Sequence, residues 1–184
     1  MEQESGTKNY LNLDLVNVMY GVVASYGFYF IDKAATPTDY IRFIFAYAVL
    51  FMDWVYAHHT YKGQDYKKSY LFLDLVTLFL FSRLLSTSTA GDSIFYFWLS
   101  IIFVLYVIWD YIMRQDNMNS GFNWKSCLTS DFIGAAAFFI LWLVLKNNIF
   151  LQGYTFITIA AVAIYVVITL AWYKKPEKKQ NITI

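Results

Sequence analysis

The chain has 184 residues, of which 59% are hydrophobic, 21% aromatic and only 15% charged. Soluble domains average about 45–50% apolar and about 25% charged residues, so this composition excludes disordered, collagen-like and disulfide-rich proteins and is typical of a chain surrounded by lipid. The net charge of +1 gives no reason to expect a nucleic-acid partner, and the single cysteine, Cys127, excludes an intrachain disulfide and a cysteine-based metal site.

Six stretches of the chain are long and apolar enough to be membrane spans, since a spanning helix needs roughly 20 mostly apolar residues. They are residues 10–31, 40–57, 69–85, 94–113, 128–145 and 151–173. Runs such as residues 101–108 lack the alternation of β-barrel strands. We therefore predict an all-α polytopic membrane protein, with a single transmembrane domain over residues 1–184 that includes a short basic cytoplasmic tail at 174–184.

Polar punctuation separates the predicted spans. The break at residues 32–39 ends the first span, because Pro37 removes a backbone donor and pushes Thr36 out of the helical region. Polar turns follow at 61–65 and 86–92, and the weakest break, 146–148, must be a tight turn. Residues 1–6 are acidic and polar, unlike the basic start of a secretory signal, so we expect the first span to be retained.

The basic residues favour one orientation of a six-span chain. The N-terminus, the second and fourth connections and the C-terminus then lie on one side, which carries ten of the fourteen Lys and Arg residues. The other side carries Lys33, Arg42, Arg83 and Lys146. The positive-inside rule therefore predicts a multi-pass protein of the cell membrane with both termini in the cytoplasm.

Internal similarity indicates repeats. Residues 11–16 and 71–76 open the first and third spans with nearly the same phrase, and Asp131 lies at the equivalent depth of the fifth. Asp53 and Asp110 recur 57 residues apart at the ends of the second and fourth spans. Parallel repeats are related by an axis along the membrane normal. We predict six transmembrane helices arranged as three parallel two-helix repeats, with coincidence as the alternative.

Three aspartates, Asp14, Asp74 and Asp131, lie in the first turns of odd-numbered spans, where a carboxylate complements the positive end of the helix dipole. Capping and a place in an ion pathway explain these positions about equally well. The residues that follow Asp14 on its helix face are Asn17, Gly21 and Ser25. A stripe of small and polar residues favours close helix packing over a polar pathway.

The other two aspartates, Asp53 and Asp110, lie near predicted helix C-termini, where the dipole disfavours a negative charge. Each therefore needs a partner. Arg114 follows Asp110 by one turn in the favourable acid-before-base order. Asp53 has Ala57 at that spacing, so its partner must lie on another helix. The candidates for an ion pathway are Asp14, Asn17, Asp53, Asp74, Asp110 and Asp131.

His58 and His59 follow the second span directly. Adjacent helical residues point about 100° apart, so a joint metal site is not expected. Histidines next to a membrane are more often interface residues, and pH sensing beside a carboxylate is the alternative function for this pair.

The chain resembles the bacterial relatives of the lysosomal potassium channel. The resemblance rests on the six-helix plan, on Ser130-Asp131, on Asp14 early in the first span and on Trp54 followed by His58-His59. That family carries a Phe-Ser-Asp motif in its first helix, which Asn12 and Leu13 alter here, and a Trp with a His-His pair at the end of its second. The phrase at residues 13–16 and 73–76 is also similar to one in the low-temperature-requirement A membrane proteins.

These features favour an ion channel or ion transporter for cations such as potassium, because carboxylates near a pathway entrance concentrate cations. A homo-oligomer is one arrangement that such a protein can adopt. The alternatives are a small-solute transporter or its membrane-embedded binding subunit, and a scaffold or signalling partner that transports nothing. Apart from its ligand, the lipid bilayer is the expected partner. The chain has no nucleophile–base triad, phosphate loop or zinc signature, so we expect no enzyme activity, no cofactor and no bound metal.

Overall fold

The computed structural model describes residues 3–61, 67–90, 93–115, 124–148 and 155–172, and within these ranges the side chains from residue 14 onward except 59, 61 and 124. The helices are α1 (Gln3–Phe28), α2 (Pro37–Tyr61), α3 (Lys68–Ser88), α4 (Ile94–Gln115), α5 (Trp124–Asn147) and α6 (Thr155–Trp172), with a 3₁₀ turn at Ile31–Lys33. No strand occurs among these residues, and all six helices are long and apolar enough to cross a membrane. The predicted all-helical class and the six apolar helices are confirmed.

The start of α2 differs from the prediction because Thr36 and Asp39 cap each other. The Asp39 N–H donates to the Thr36 hydroxyl oxygen at 3.2 Å, and the Thr36 N–H donates to Asp39 Oδ2 at 3.0 Å. Pro37 takes the first helical position, where its missing N–H is not needed. The helix therefore begins at Pro37 rather than at residue 40, and α1 ends at Phe28 rather than at residue 31.

The helix ends of the later spans lie close to the predicted positions. Lys146 and Asn147, predicted to open a tight turn at 146–148, instead belong to α5, and residues 149–154 lie outside the described residues. The start of the sixth predicted span, 151–154, and the basic tail at 174–184 lie outside the described residues. The same holds for most of the predicted turn at 61–65.

Five of the helices form a closed circuit. Helix α2 packs against α3, α3 against α4, α4 against α5, α5 against α6, and α6 against α2. Helix α1 lies outside this circuit and packs mainly on α3, with a smaller contact on α2. The predicted hairpins α3–α4 and α5–α6 are thus packed pairs, whereas α1 leans on the neighbouring hairpin. The threefold repeat stays a prediction.

Aromatic rings fill the centre of the circuit. The Phe45 ring of α2 lies 6.0 Å from the Phe95 ring, 6.5 Å from the Phe138 ring and 5.4 Å from the Tyr165 ring, which come from α4, α5 and α6. The Phe103 ring lies 5.4 Å from that of Phe138. Each ring contact of this kind stabilises the fold by about 0.5–1.5 kcal/mol beyond the stabilisation that comes from burying apolar area. The middle of the bundle is therefore a packed aromatic core.

The outer surface of the bundle is apolar. Among the exposed side chains are Val18, Phe79, Phe132, Val167 and Leu170, each more than 60% accessible. Water-soluble proteins rarely leave such extended apolar surface uncovered. Lipid acyl chains are the environment that this surface fits.

Gly134 allows α5 to approach α4 and α6 closely. A Cβ atom added to Gly134 would lie 2.7 Å from Phe103 Cδ1 and 2.9 Å from Ile168 Cδ1. Gly21 of α1 is different, because no atom lies within 4 Å of its added Cβ position. The small residue is thus required in α5 and not at this position of α1.

We expect Gly134→Ala to lower the free energy of unfolding by about 1–3 kcal/mol, the usual cost of overpacking a core. Gly21→Ala is the matched control and should leave stability unchanged or slightly higher, since alanine favours helix. Thermal denaturation of both variants in the same detergent measures the difference. A Gly134→Ala protein as stable as the wild type would contradict the packing of α4, α5 and α6.

Candidate functional site

Four aspartates from four successive helices are buried at one end of the bundle. Asp53 lies near the end of α2, Asp74 near the start of α3, Asp110 near the end of α4 and Asp131 near the start of α5. Because these helices alternate in direction along the chain, the four positions meet at the same end. Their exposed fractions are 7%, 4%, 2% and 2%. We call this group the carboxyl cluster.

Asp53 finds its partners on other helices, as predicted. The Tyr20 hydroxyl of α1 donates a hydrogen bond to Asp53 Oδ2. The Tyr106 hydroxyl of α4 also lies beside this carboxyl group, but its geometry forms no hydrogen bond. In the described part of the chain, the buried Asp53 carboxyl group is therefore held by a tyrosine hydroxyl and forms no ion pair with a basic side chain.

Asp110 points into the bundle. It does not form the ion pair with Arg114 that the spacing of the two residues predicted. The Tyr56 hydroxyl of α2 donates to Asp110 Oδ1 at 3.0 Å. Arg114 is exposed and forms no ion pair with Asp110. The helix surface explains the difference, because Asp110 faces α2 and α5 while the long arginine side chain reaches outward.

Asp131 lies against Asp110. The Trp172 indole N–H of α6 donates to Asp131 Oδ1 at 2.6 Å. The carboxyl groups of Asp131 and Asp110 lie within hydrogen-bonding reach of each other. Asp110 Oδ2 is buried and receives no donor from another side chain. The cluster therefore contains a pair of carboxyl groups in direct contact.

A small cavity lies between Asp53 and Asp74. Its volume is about 10 Å³, close to the space that one water molecule needs. Its lining residues are Asp53, Tyr56, Ala57, Asp74, Thr77, Tyr106 and Trp109. Side chains with oxygen atoms, from α2, α3 and α4, thus line a space of about the size of one water molecule.

Two predicted candidates on α1 lie outside the carboxyl cluster. Asp14 is exposed, and Asn17 accepts a hydrogen bond from the Trp54 indole N–H at 3.1 Å. Gly21 and Ser25 are exposed too, so the expected close packing of this stripe within the chain is wrong. The reason is the rotation of α1, which turns Tyr20 inward and the stripe outward.

The histidine pair does not join the cluster through any described contact. His58 Nδ1 lies 3.0 Å from the Trp54 carbonyl oxygen, and its ring centre is 4.4 Å from that of Trp54. The side chain of His59 lies outside the described residues. No carboxylate is paired with His58 in the described part of the chain, so pH sensing by this residue stays a prediction.

Sequence reasoning missed the aromatic side chains that surround the carboxyl cluster, namely the hydrogen-bond donors Tyr20, Tyr56 and Trp172 and the neighbouring Tyr106. The chain has 16 tyrosines and 6 tryptophans, and spacing alone does not show which of them face inward. Only Trp172 carried a signal, since it occupies the position in the sixth span that matches the ends of the second and fourth.

A second buried polar group lies at the opposite end of the bundle. Arg42 is 1% exposed, and its Nη1 lies 3.9 Å from Asp39 Oδ1 of the helix cap. Its guanidinium carbon lies 5.6 Å from the centre of the Tyr96 ring, within cation–π range. Sequence reasoning placed Arg42 among the outward loop charges and did not predict that it is buried.

No family model, curated protein or solved structure matches the chain. Among the described residues, no group of three or more His, Cys, Asp or Glu side chains could hold a metal ion. The site consists of the carboxyl cluster itself, whose carboxyl oxygens accept hydrogen bonds from tyrosine hydroxyl groups and from the Trp172 indole N–H.

We expect Tyr20→Phe to destabilise the protein by about 1–3 kcal/mol, because it removes the hydroxyl donor from the buried Asp53 carboxyl group. Tyr26→Phe is the matched control on the same helix, since Tyr26 is 50% exposed, and it should change stability by less than about 0.5 kcal/mol. Chemical denaturation in detergent measures both. Equal stabilities of the two variants would contradict the contact between α1 and Asp53.

Proposed function

We propose that the chain is an integral membrane protein that moves a cation across the bilayer, with the carboxyl cluster as its binding site. The observation that carries this proposal is the burial of Asp53, Asp74, Asp110 and Asp131 at one end of the bundle, where Asp53 and Asp74 also line a cavity of one-water size. The resemblance to a potassium channel family agrees with a cation as the ligand.

The cost of the carboxyl cluster supports a function over a purely structural role. Ionisable groups in apolar surroundings are costly unless they are paired, and ionisable groups within membrane spans mark ion sites and proton relays. In the described ranges, no basic side chain is paired with Asp53, Asp110 or Asp131. A cation that visits the site would supply the missing positive charge.

The placement in the membrane follows from the helices and the basic residues. Six apolar helices support a multi-pass protein, and the basic residues favour both termini in the cytoplasm of a cell membrane. The carboxyl cluster then lies in the cytoplasmic half of the bundle, where Asp53 and Asp110 end their spans. The threefold repeat and a homo-oligomer remain parts of this proposal.

The aromatic core bears on how a cation would move. Phe45, Phe103 and Phe138 close the middle of the bundle between the carboxyl cluster and the opposite end. An ion pathway within one chain therefore needs these rings to separate, as in a gated channel or a transporter. A continuously open pore through a single chain does not fit this packing.

A small-solute transporter and a scaffold are the competing functions. The larger grooves among the described residues have volumes of about 410, 490 and 370 Å³. They open outward between helices and are lined mainly by apolar side chains, which suits acyl chains better than a polar solute. A scaffold would use the carboxyl cluster only to join helices.

Asp53→Asn tests the proposed function in liposomes containing the purified protein. Asparagine keeps the shape of the side chain and an acceptor for Tyr20 but removes the charge. We expect the flux of the transported cation, assayed separately for H⁺, Na⁺ and K⁺, to fall about tenfold or more, since charge-assisted contacts contribute about 1.5–3 kcal/mol.

Asp32→Asn is the control, because Asp32 is exposed in the 3₁₀ turn far along the chain from the carboxyl cluster. It should leave the flux unchanged. The absence of flux of all three cations in the wild type, over a range of voltage and pH, would contradict the proposed function.

Cysteine labelling tests the orientation. In intact cells, a membrane-impermeant maleimide should label Asp32→Cys from outside, whereas Lys178→Cys should react only after lysis. The native chain is the control, because Cys127 is fully buried. The reverse pattern of labelling would contradict cytoplasmic termini.

A further inference from the structure

We propose that Asp110 and Asp131 hold one proton between their carboxyl groups and that Tyr56 links this pair to the one-water cavity beside Asp53 and Asp74. The proton is then the cation that the site binds. The inference deepens the proposed function, on which the role of this proton as the transported ion rests.

The contact between the two carboxyl groups requires a proton. Both residues are 2% exposed, and two anionic carboxylates in contact repel each other strongly where water does not screen them. Tyr56 donates to Asp110 Oδ1 and Trp172 donates to Asp131 Oδ1. Asp110 Oδ2 remains a buried acceptor without a donor. A proton carried by Asp131 satisfies that acceptor and turns the repulsion into a hydrogen bond.

Among the described residues, no basic side chain neutralises the pair. The titratable groups that face the carboxyl cluster are Tyr20 from α1, Asp53 and Tyr56 from α2, Asp74 from α3, Tyr106 from α4, Cys127 from α5 and Tyr165 from α6. Each of these groups is neutral when protonated and negatively charged when deprotonated, so none of them supplies a positive charge. Within the described ranges no lysine, arginine or histidine contacts Asp110 or Asp131.

The cavity gives the pair a route for exchange. Tyr56 both hydrogen-bonds Asp110 and lines the cavity. Tyr106 lines the same cavity, is 8% exposed and has a hydroxyl without a hydrogen-bond partner. Buried hydroxyls of this kind are usually satisfied by an ordered water. A cavity water can then occupy the position between Tyr106 and the acidic side chains.

The proton transfer balances through Tyr56. When the pair has lost its proton, a proton from the cytoplasm first joins the cavity water. That water passes one proton to the Tyr56 oxygen as the Tyr56 hydroxyl proton moves to Asp110 Oδ1, so that the water and the tyrosine both end in their original forms. Rotation of the Asp110 carboxyl group then turns the proton toward Asp131. The reverse sequence releases the proton, and no other reactant is needed.

Infrared difference spectroscopy of the full chain in lipid vesicles at neutral pH tests the proposal. The spectrum of the double variant Asp110→Asn/Asp131→Asn is subtracted from that of the wild type. We expect the variant to lose one protonated carboxyl C=O band, which shifts on exchange into D₂O, and one carboxylate band. Loss of two carboxylate bands, or of two protonated bands, would overturn the shared proton.

Two controls keep this result decisive. Asp32→Asn should lose a single carboxylate band and no protonated band, because Asp32 is exposed. If the double variant does not fold, solid-state NMR of the wild type labelled at the aspartate carboxyl carbons reads the same protonation states directly. One protonated and one ionised resonance in mutual contact would support the proposal, and two ionised resonances would overturn it.

Proton flux across the same vesicles separates this inference from the proposed function. A shared proton in a protein that passes no cation supports the inference about the pair and contradicts transport. Flux of Na⁺ or K⁺ without any proton movement supports transport and overturns the proton as the bound cation.

Discussion

Four carboxyl groups buried in one end of an apolar bundle must each be neutralised or hydrogen-bonded, and this constraint explains much of the polar architecture. Tyr20, Tyr56 and Trp172 each lie on a different helix and each donate to a different aspartate. The carboxyl cluster thereby ties α1, α2 and α6 to the helices that carry the aspartates. Polar contacts that stabilise the helix arrangement and the candidate site are the same contacts.

The aromatic core and the carboxyl cluster divide the bundle along its axis. Phe45 contacts rings from three other helices and fills the centre, while the acidic side chains lie at the end that we propose to be cytoplasmic. Arg42 and Asp39 lie at the other end, where the guanidinium is buried beside Tyr96. The carboxyl cluster and the buried Arg42 thus lie on opposite sides of the aromatic core.

The sequence predicted the helices well because span length and hydropathy depend only on local composition. It also placed Asp53, Asp74, Asp110 and Asp131 near one end, since their recurrence follows the alternation of the spans. It did not show that Asp14 is exposed, because that depends on how α1 packs outside the circuit of five helices. The predicted partner of Asp110 was wrong for a similar reason. Arg114 is close to Asp110 in the sequence, but the inward rotation of α4 brings Asp110 to Tyr56. Helix rotation is set by tertiary packing, which spacing does not encode.

We propose that the charge of the carboxyl cluster serves cation movement, whereas its hydrogen bonds hold the helices together. Replacing buried charged groups with neutral groups of similar volume is often neutral or stabilising, whereas loss of a structural contact is costly. Asp131→Asn keeps an acceptor for Trp172 and offers Asp110 an amide donor. The direct test measures, in the same preparation, the free energy of unfolding and the cation flux of this variant. The account predicts unchanged or higher stability with the flux lost, and lower stability with normal flux per folded molecule would contradict it.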